Sequence, residues 1–577
     1  MLNNYYQQEL SNLKDTARSF AKENPAIAPM LGESSLNPDI ERLLESVAFL
    51  TGGVREKIED GLPEIIHNFI RQIWPHYLRP VPSCTIIDFK PMGSTTTVSI
   101  PAGTYVKSRP IEGVSCKYRT CFDVDIYPVK IMDTAYYEPA SSNPVIRITF
   151  NTNGGVTANQ LNSDKMIFYL GRGMEKAADL YFVLMNYLDR IVIRNKTNKN
   201  ETLLDKSFLH PMGFTEPEAL LPFPSNAFDG YRLLQEYFHM PEKFLFWELS
   251  GLKQWTDRKK VTEFYIDLEL TTPPLDFFKL TKESFILYST PAVNVFSHPA
   301  APVTVDHRKT EYRISPAGKD KTKYQIYSIE KVTGVFKKVG ASPEFKPFHS
   351  FQSHEENLVY NETIQKSPVY DRIDYTINLA YTEKFTRHDL KTLSFDLLCT
   401  NGNLPEMIDN EGISLPPISY SNVVKCKNLI KPTTAILPPL GSNILWSLIS
   451  QLTINSASLA NLKSLKAILN LHLMKQGNRD KKRILANEKR IDSIKQIKTK
   501  NIEQLINGSI TKGLEIRLKI SQSHFAGPGD FYLFGMILDM FFGLYSTINT
   551  FTKLIIKEID TGETFSWNPR LGSRQLI

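Results

Sequence analysis

Cysteine is scarce: Cys84, Cys116, Cys121, Cys399 and Cys426 are the only five in 577 residues, an odd count with no CxxC pair. That argues against a disulfide framework or a zinc ribbon, so buried free thiols are the expected state and the cytoplasm the expected compartment. No full GxGxxG or GxxxxGK[ST] pattern occurs; the turns Gly171-Arg172-Gly173 and Gly527-Pro528-Gly529 lack that context, and a phosphate cradle is not expected. Long apolar runs are also missing. The best, Phe531 to Tyr545, falls short of the roughly 20 residues of a membrane span and is interrupted by Asp539, so it reads as a buried helix. The start, MLNNYYQQELSNLKD, has neither a basic opening nor an apolar core, and no signal peptide is expected. Charge of one sign barely dominates, with 68 basic against 61 acidic residues, which does not by itself mark a nucleic-acid binder.

What is present is apolar and aromatic: 42% hydrophobic residues, with 25 Tyr and 33 Phe, enough for sizeable cores and for interfaces. The length suggests about three or four domains. The pattern predicts an α+β, multidomain chain: an N-terminal helical region over 1–80, a first α+β module over 81–200, a β-rich middle over 201–430 and a mixed C-terminal domain over 431–577.

Three helices are expected at the start. Tyr6, Leu10, Leu13, Ala17 and Phe20 keep a helical period until Asn24-Pro25. A second begins at Asn37-Pro38 with the stripe Leu43, Leu44, Val47, Leu50, Val54 and Ile58. A third, after Gly61, has a wide apolar face through Ile66, Phe69, Ile70 and Trp74. Short helices with this much apolar surface cannot bury it alone, which nominates Tyr6, Leu10, Leu13, Phe20, Leu43, Leu44, Val47, Leu50, Val54 and Ile58 as a partner interface. Strands follow the prolines at 75, 80 and 82, with a helix over 176–188 among them. The stretch 340–365 reads as weakly periodic and exposed. Between Ser447 and His524 there is no Phe, Trp or Tyr, and a helix is expected over 445–473.

Two segments invite functional readings. Gly230 to Leu252 (GYRLLQEYFHMPEKFLFWELSGL) is an aromatic helix running through Pro241 into an aromatic strand, with Arg232, Glu236 and Lys243 read as exposed charges. Arg479 to Lys500 holds nine Lys or Arg against Asp480, Glu488 and Asp492. With no aromatic interleaved to stack bases, and Ile484, Ile491, Ile494 and Ile497 spaced along it, it reads as one helix with a buried side. A nucleic-acid or membrane-surface role for this basic segment is one alternative. A carboxylate-dependent hydrolase using a pair among Asp229, Glu236, Glu248 and Asp396 is another. His67 and His76 read as hydrogen-bonding anchors. No catalytic, cofactor-binding or metal-ligating residue is nominated.

Several pieces in order, YYQQEL at Tyr5, PDIERLLESVAFL at Pro38, PHYLRPVPS at Pro75, IPAGT at Ile100, GYRLLQEYF at Gly230, PAVNVF at Pro291, LCTNGNLP at Leu398, FFGLYSTINTFTKL at Phe541 and WNPRLG at Trp567, resemble the TssF (VasA/ImpG) family of type VI secretion baseplate proteins. The chain departs from the family at Gly402, where an Arg is usual, and at Tyr288-Ser289, where a His-Cys pair is common. The resemblance implies a non-enzymatic wedge component without cofactors. Two copies would join one TssG, contact TssK, TssE and a VgrG-like spike hub, and self-associate within the wedge, linking the membrane complex to the contractile sheath. It implies a cytoplasmic place at the inner face of the membrane, with no nucleic acid bound and no membrane insertion.

Overall fold

The computed structural model describes residues 6, 7, 10, 11, 13, 14 and 17, then 38–572 except 60–62, 94, 141–142, 162, 172, 196–200, 224–226, 257, 259, 273–279, 307, 319, 337–341, 349–357, 368–369, 381–389, 441–460, 476–478 and 507, and except the side chains at 38–40, 54–65 and 321. The chain divides into two compact units, Met1–Arg71 with Leu440–Ser450, and Gln72–Pro439 with Gln451–Ile577. The α+β class expected from the pattern is what the chain adopts.

In the first unit Tyr6, Leu10, Leu13 and Ala17 are helical, and Lys14 reaches Glu41 at 3.3 Å. The expected helices α1 (Pro38–Glu59) and α2 (Pro63–Ile73) each open on a proline, whose fixed φ suits a first helical position. Helix α2 buries Ile66, His67, Ile70 and Arg71 and leaves Phe69 out.

In the second unit, sequence-distant strands are neighbours. Cys84–Pro91 lies between Ser289–Val293 and Val424–Asn428, antiparallel to both. A second sheet orders Glu201–Asp205, Leu188–Asn195, Glu263–Leu270, Val145–Thr152 and Val129–Tyr137. A third sets Phe246–Leu249 between Leu209–Pro211 and Met166–Leu170, with Phe285–Leu287 beyond. Tyr288 turns the chain from this third sheet into the first: its φ is 60°, a left-handed conformation costly for a bulky residue, and its hydroxyl sits 2.9 and 2.8 Å from the carbonyls of Tyr127 and Val129. A fourth sheet centres on Leu390–Thr400 paired with Gln325–Phe336. The stretch 340–365 is not simply exposed: Glu344–Pro347 and Val359–Lys366 are strands that bury Phe345, Tyr360 and Ile364, while 349–357 lies outside the described residues.

Three further helices, α3 (Met174–Tyr187), α4 (Asp229–His239) and α5 (Leu462–Leu471), precede α6 (Lys481–Asp492). Residues 445–460 of the expected 445–473 helix lie outside the described residues. The basic segment is not one helix. It is helical only in α6, and Ile494 and Ile497 belong to the strand Ile494–Ile506, which turns back into Ser509–Ile520. From there α7 (Pro528–Tyr545) crosses over to Thr550–Glu558, parallel to Ser509–Ile520, and a hairpin at Asp560-Thr561-Gly562 leads to Thr564–Ser566. Helix α7 is buried almost throughout, and Asp539 inside it pairs with Arg570. Among the described residues no helix is long and apolar enough to cross a membrane.

Candidate partner interface

The joint around α4 is built on buried charge. Arg232, Glu236 and Lys243, read from sequence as exposed, are each 0% exposed. One Glu236 oxygen accepts the amides of Leu220 and Leu221 at 2.8 and 3.1 Å; the other accepts Arg232 Nη1 at 3.0 Å and Lys243 Nζ. Arg232 also donates to both Asp229 oxygens, at 2.5 and 3.0 Å, and to the Phe214 carbonyl at 3.2 Å. Burial pushes the Glu236 carboxyl up, but Lys243, Arg232 and the Leu221 amide outweigh it and hold it below the ordinary carboxylate range. Two anions and two cations thus neutralise one another, and the cluster ties the loop 214–221 and the turn at Pro241–Leu245 to α4.

Helix α6 closes the far end of α4. Arg483 donates to the His239 carbonyl and Asn487 Nδ2 to the Phe238 carbonyl at 3.0 Å, supplying donors that the last turn of a helix lacks. Arg490 of the same helix forks onto Asp530 at 2.9 and 3.0 Å, at the start of α7. The Gly527-Pro528-Gly529 turn holds no phosphate cradle: Asp179 of α3 accepts the Gly529 amide at 3.0 Å, and a Cβ on Gly529 would run into the Ala178 carbonyl. His76 and His239 are anchors of the kind expected for His76: Nε2 of His76 meets the Pro222 carbonyl at 2.7 Å, and Nε2 of His239 meets the Pro82 carbonyl at 3.0 Å and Thr433 Oγ1 at 2.9 Å. Burial first, with Arg79 and Arg483 adding to it, pushes both imidazoles down to about 3. All five cysteines are buried and free.

The acids weighed for hydrolysis are dispersed in role. Asp229 and Glu236 serve the joint, Glu248 pairs with Lys165 at 3.1 Å, and Asp396 lies across the ladder from Lys331. Among the described residues no group of His, Cys, Asp and Glu is placed to hold a metal ion.

The nominated partner residues divide. Tyr6, Leu10, Leu13 and Leu44 are half-buried. Leu43, Val47 and Leu50, at i, i+4 and i+7 on α1, are 63%, 37% and 67% exposed. Phe20 and the side chains of Val54 and Ile58 lie outside the described residues. Among the described side chains of α1, those of residues 41–53, the buried ones are Ala48 and Gly52. Over this stretch the helix seats small residues and turns Leu43, Val47 and Leu50 outward, the reverse of a helix that packs only within its own unit. Phe49, 55% exposed, lies off the stripe and was not nominated.

A family model described as type VI secretion system, TssF, matches residues 1–574. The chain belongs to that family. A curated relative, type VI secretion system component TssF1 of Pseudomonas aeruginosa strain PAO1, is 28% identical over 626 aligned positions, covering 99% of this chain and 98% of the relative. A chain of the TssK-TssF-TssG baseplate subcomplex, seen by cryo-electron microscopy, superposes with a TM-score of 0.78 at 28% identity, covering 92% of this chain and 99% of that one. A chain of the type VI secretion baseplate complex shares the fold, with a TM-score of 0.66 at 22% identity over the full length of both.

Family membership leaves open which side chains do what, and several that matter here are absent from the nominated set. Arg483, Asn487 and Asp179 act across hundreds of residues, so no local spacing marks them. The small residues Ala48 and Gly52, four apart, mark a side of α1 that can seat closely, but Leu44 lies on the same line one turn earlier, so the seam alone does not say which leucines turn outward.

Proposed function

We propose that this chain is a structural subunit of the type VI secretion baseplate and works by geometry rather than by catalysis. The full-length family match carries the reading, and the outward stripe Leu43, Val47, Leu50 supplies it with a surface. Partners follow from the company its relatives keep: the baseplate subcomplex to which one structural neighbour belongs contains TssK, TssF and TssG, so TssG and TssK are the proposed neighbours of this chain. The finer arrangement we propose is two copies per TssG, with TssE and a spike hub protein adjoining, the assembly lying at the cytoplasmic face of the inner membrane. Tyr6, Leu10, Leu13 and Phe20, at helical spacing in the sequence, with the α1 stripe, are the proposed seat for partner helices, because apolar residues so spaced fit a helix laid alongside.

Co-purification with TssG tests this. Leu43→Asp with Leu50→Asp, and separately Leu10→Asp with Leu13→Asp, are expected to abolish recovery of tagged TssG. Full recovery by both pairs of variants would remove the N-terminal helices from the contact.

A further inference from the structure

The basic segment, still without a role in the fold beyond α6, ends in an unpaired sheet edge beside an apolar groove. Ile494–Ile506 is the terminal strand of the C-terminal sheet; it pairs with Ser509–Ile520 on one side and, among the described residues, with no strand on the other. Its register sorts its side chains. Ile497, Thr499 and Asn501, opposite Leu518, Ile516 and Leu514, share one face. That face, with Phe542 and Tyr545 of α7, lines a groove of about 670 Å³. Lys498 and Lys500, opposite Arg517 and Glu515, stand on the other face and are exposed. Arg517 already pairs with Glu515 at 2.6 Å, whereas Lys498 and Lys500 have no ion-pair partner among the described residues.

Lysines on an edge can simply discourage self-pairing. Here, however, the two lysines without an ion-pair partner stand on one face, while on the other Glu503 faces Lys512 across the ladder at one end of a groove whose apolar wall includes Ile497, Leu514, Ile516, Phe542 and Phe551. A strand added along this edge would place alternate side chains in the groove and the intervening ones beside Lys498 and Lys500. We propose that the Ile494–Ile506 edge is a docking site for an extended segment of a protein partner in which apolar residues alternate with acidic ones. The groove accepts the apolar set, the two lysines meet the acidic set, and the edge amides and carbonyls complete the ladder. This rests on the register and the groove and is independent of the baseplate reading.

The test uses the full chain and a fluorescein-labelled ten-residue peptide alternating glutamate with valine, read by fluorescence anisotropy at physiological salt, with hydrogen exchange at 497–506. Binding at least ten-fold tighter than for a peptide of five glutamates followed by five valines is expected, with slowed exchange along the edge. Lys498→Glu with Lys500→Glu, both exposed and so compatible with folding, should lose at least ten-fold in affinity and gain a lysine-valine alternating peptide. Equal binding of the alternating and block peptides, no binding of either, or indifference to the two substitutions would overturn the proposal. So would binding of single-stranded DNA that the same substitutions abolish while no peptide binds; that result would assign the lysines to phosphate.

Discussion

Glu236 is the residue on which the α4 joint turns. Its carboxylate lies out of water yet meets two cations and two amides. Glu236→Gln leaves Lys243 buried without its anion and is expected to cost about 3–5 kcal/mol in denaturant unfolding. Lys243→Met should cost a similar amount, and the double variant less than the sum, since the two losses are shared. From sequence Arg232 and Glu236 look like a solvated i, i+4 pair and Lys243 like an exposed charge past Pro241. What reverses this is the loop 214–221 folding over them, and nothing in the local pattern announces it. At Gly402 the chain has a φ of 55°, a left-handed conformation that suits glycine. Histidine sets an acid limit. His76 and His239 are held down to about 3 and His67 and His472 to about 4, in each case first by burial. Because the unfolded chain protonates these imidazoles near 6.5, their contribution is present above that pH and is lost as pH falls toward 3. Asp88, Asp179 and Asp539, raised to about 6 by burial, act oppositely between about 6 and 3.8. The separable prediction is His239→Gln: the fall in unfolding free energy between about pH 6 and 4 should become shallower by about 1.4 kcal/mol per pH unit, one proton's worth.

Among the elements, α6 has the most consequence for its size. Its charge reads as solvation, yet Arg483, Asn487 and Arg490 are spent on the carbonyl end of α4 and the start of α7. Asn487→Ala leaves the buried Phe238 carbonyl without its donor and should cost about 1–3 kcal/mol, whereas Lys481→Ala and Lys482→Ala, on the exposed side, should stay within about 0.5 kcal/mol, both read by denaturant midpoint. The helices α1, α2, α3, α4 and α7 were legible from apolar period, proline starts and the Pro241 stop. The change from helix to strand at Ser493 was not, because isoleucines at 491, 494 and 497 satisfy a helical period as well as they serve a strand. Within the second unit Trp74 ties α4 to the turn after α5: its ring lies 4.4 Å from Tyr231 of α4 and 4.8 Å from His472.

At the scale of the molecule the sequence pattern supplied the class but not the pairing. That Cys84–Pro91 sits between strands beginning at Ser289 and Val424 depends on contacts closed over hundreds of residues, and side-chain alternation says which face is inward without naming the neighbour. The partner surface was half legible. The α1 stripe follows from spacing alone, but separating outward Leu43, Val47 and Leu50 from half-buried Leu44 needed the fold. Since the outward residues carry little of the unit's own packing, Leu43→Asp with Leu50→Asp should leave the isolated chain's unfolding midpoint nearly unchanged, within about 0.5 kcal/mol for each site, while assembly fails. Native mass measurement of the chain co-expressed with TssG tests the central claim most directly. A complex of two copies of this chain with one TssG is expected, lost in the Leu43→Asp, Leu50→Asp variant; a folded chain that stays alone beside soluble TssG would contradict it.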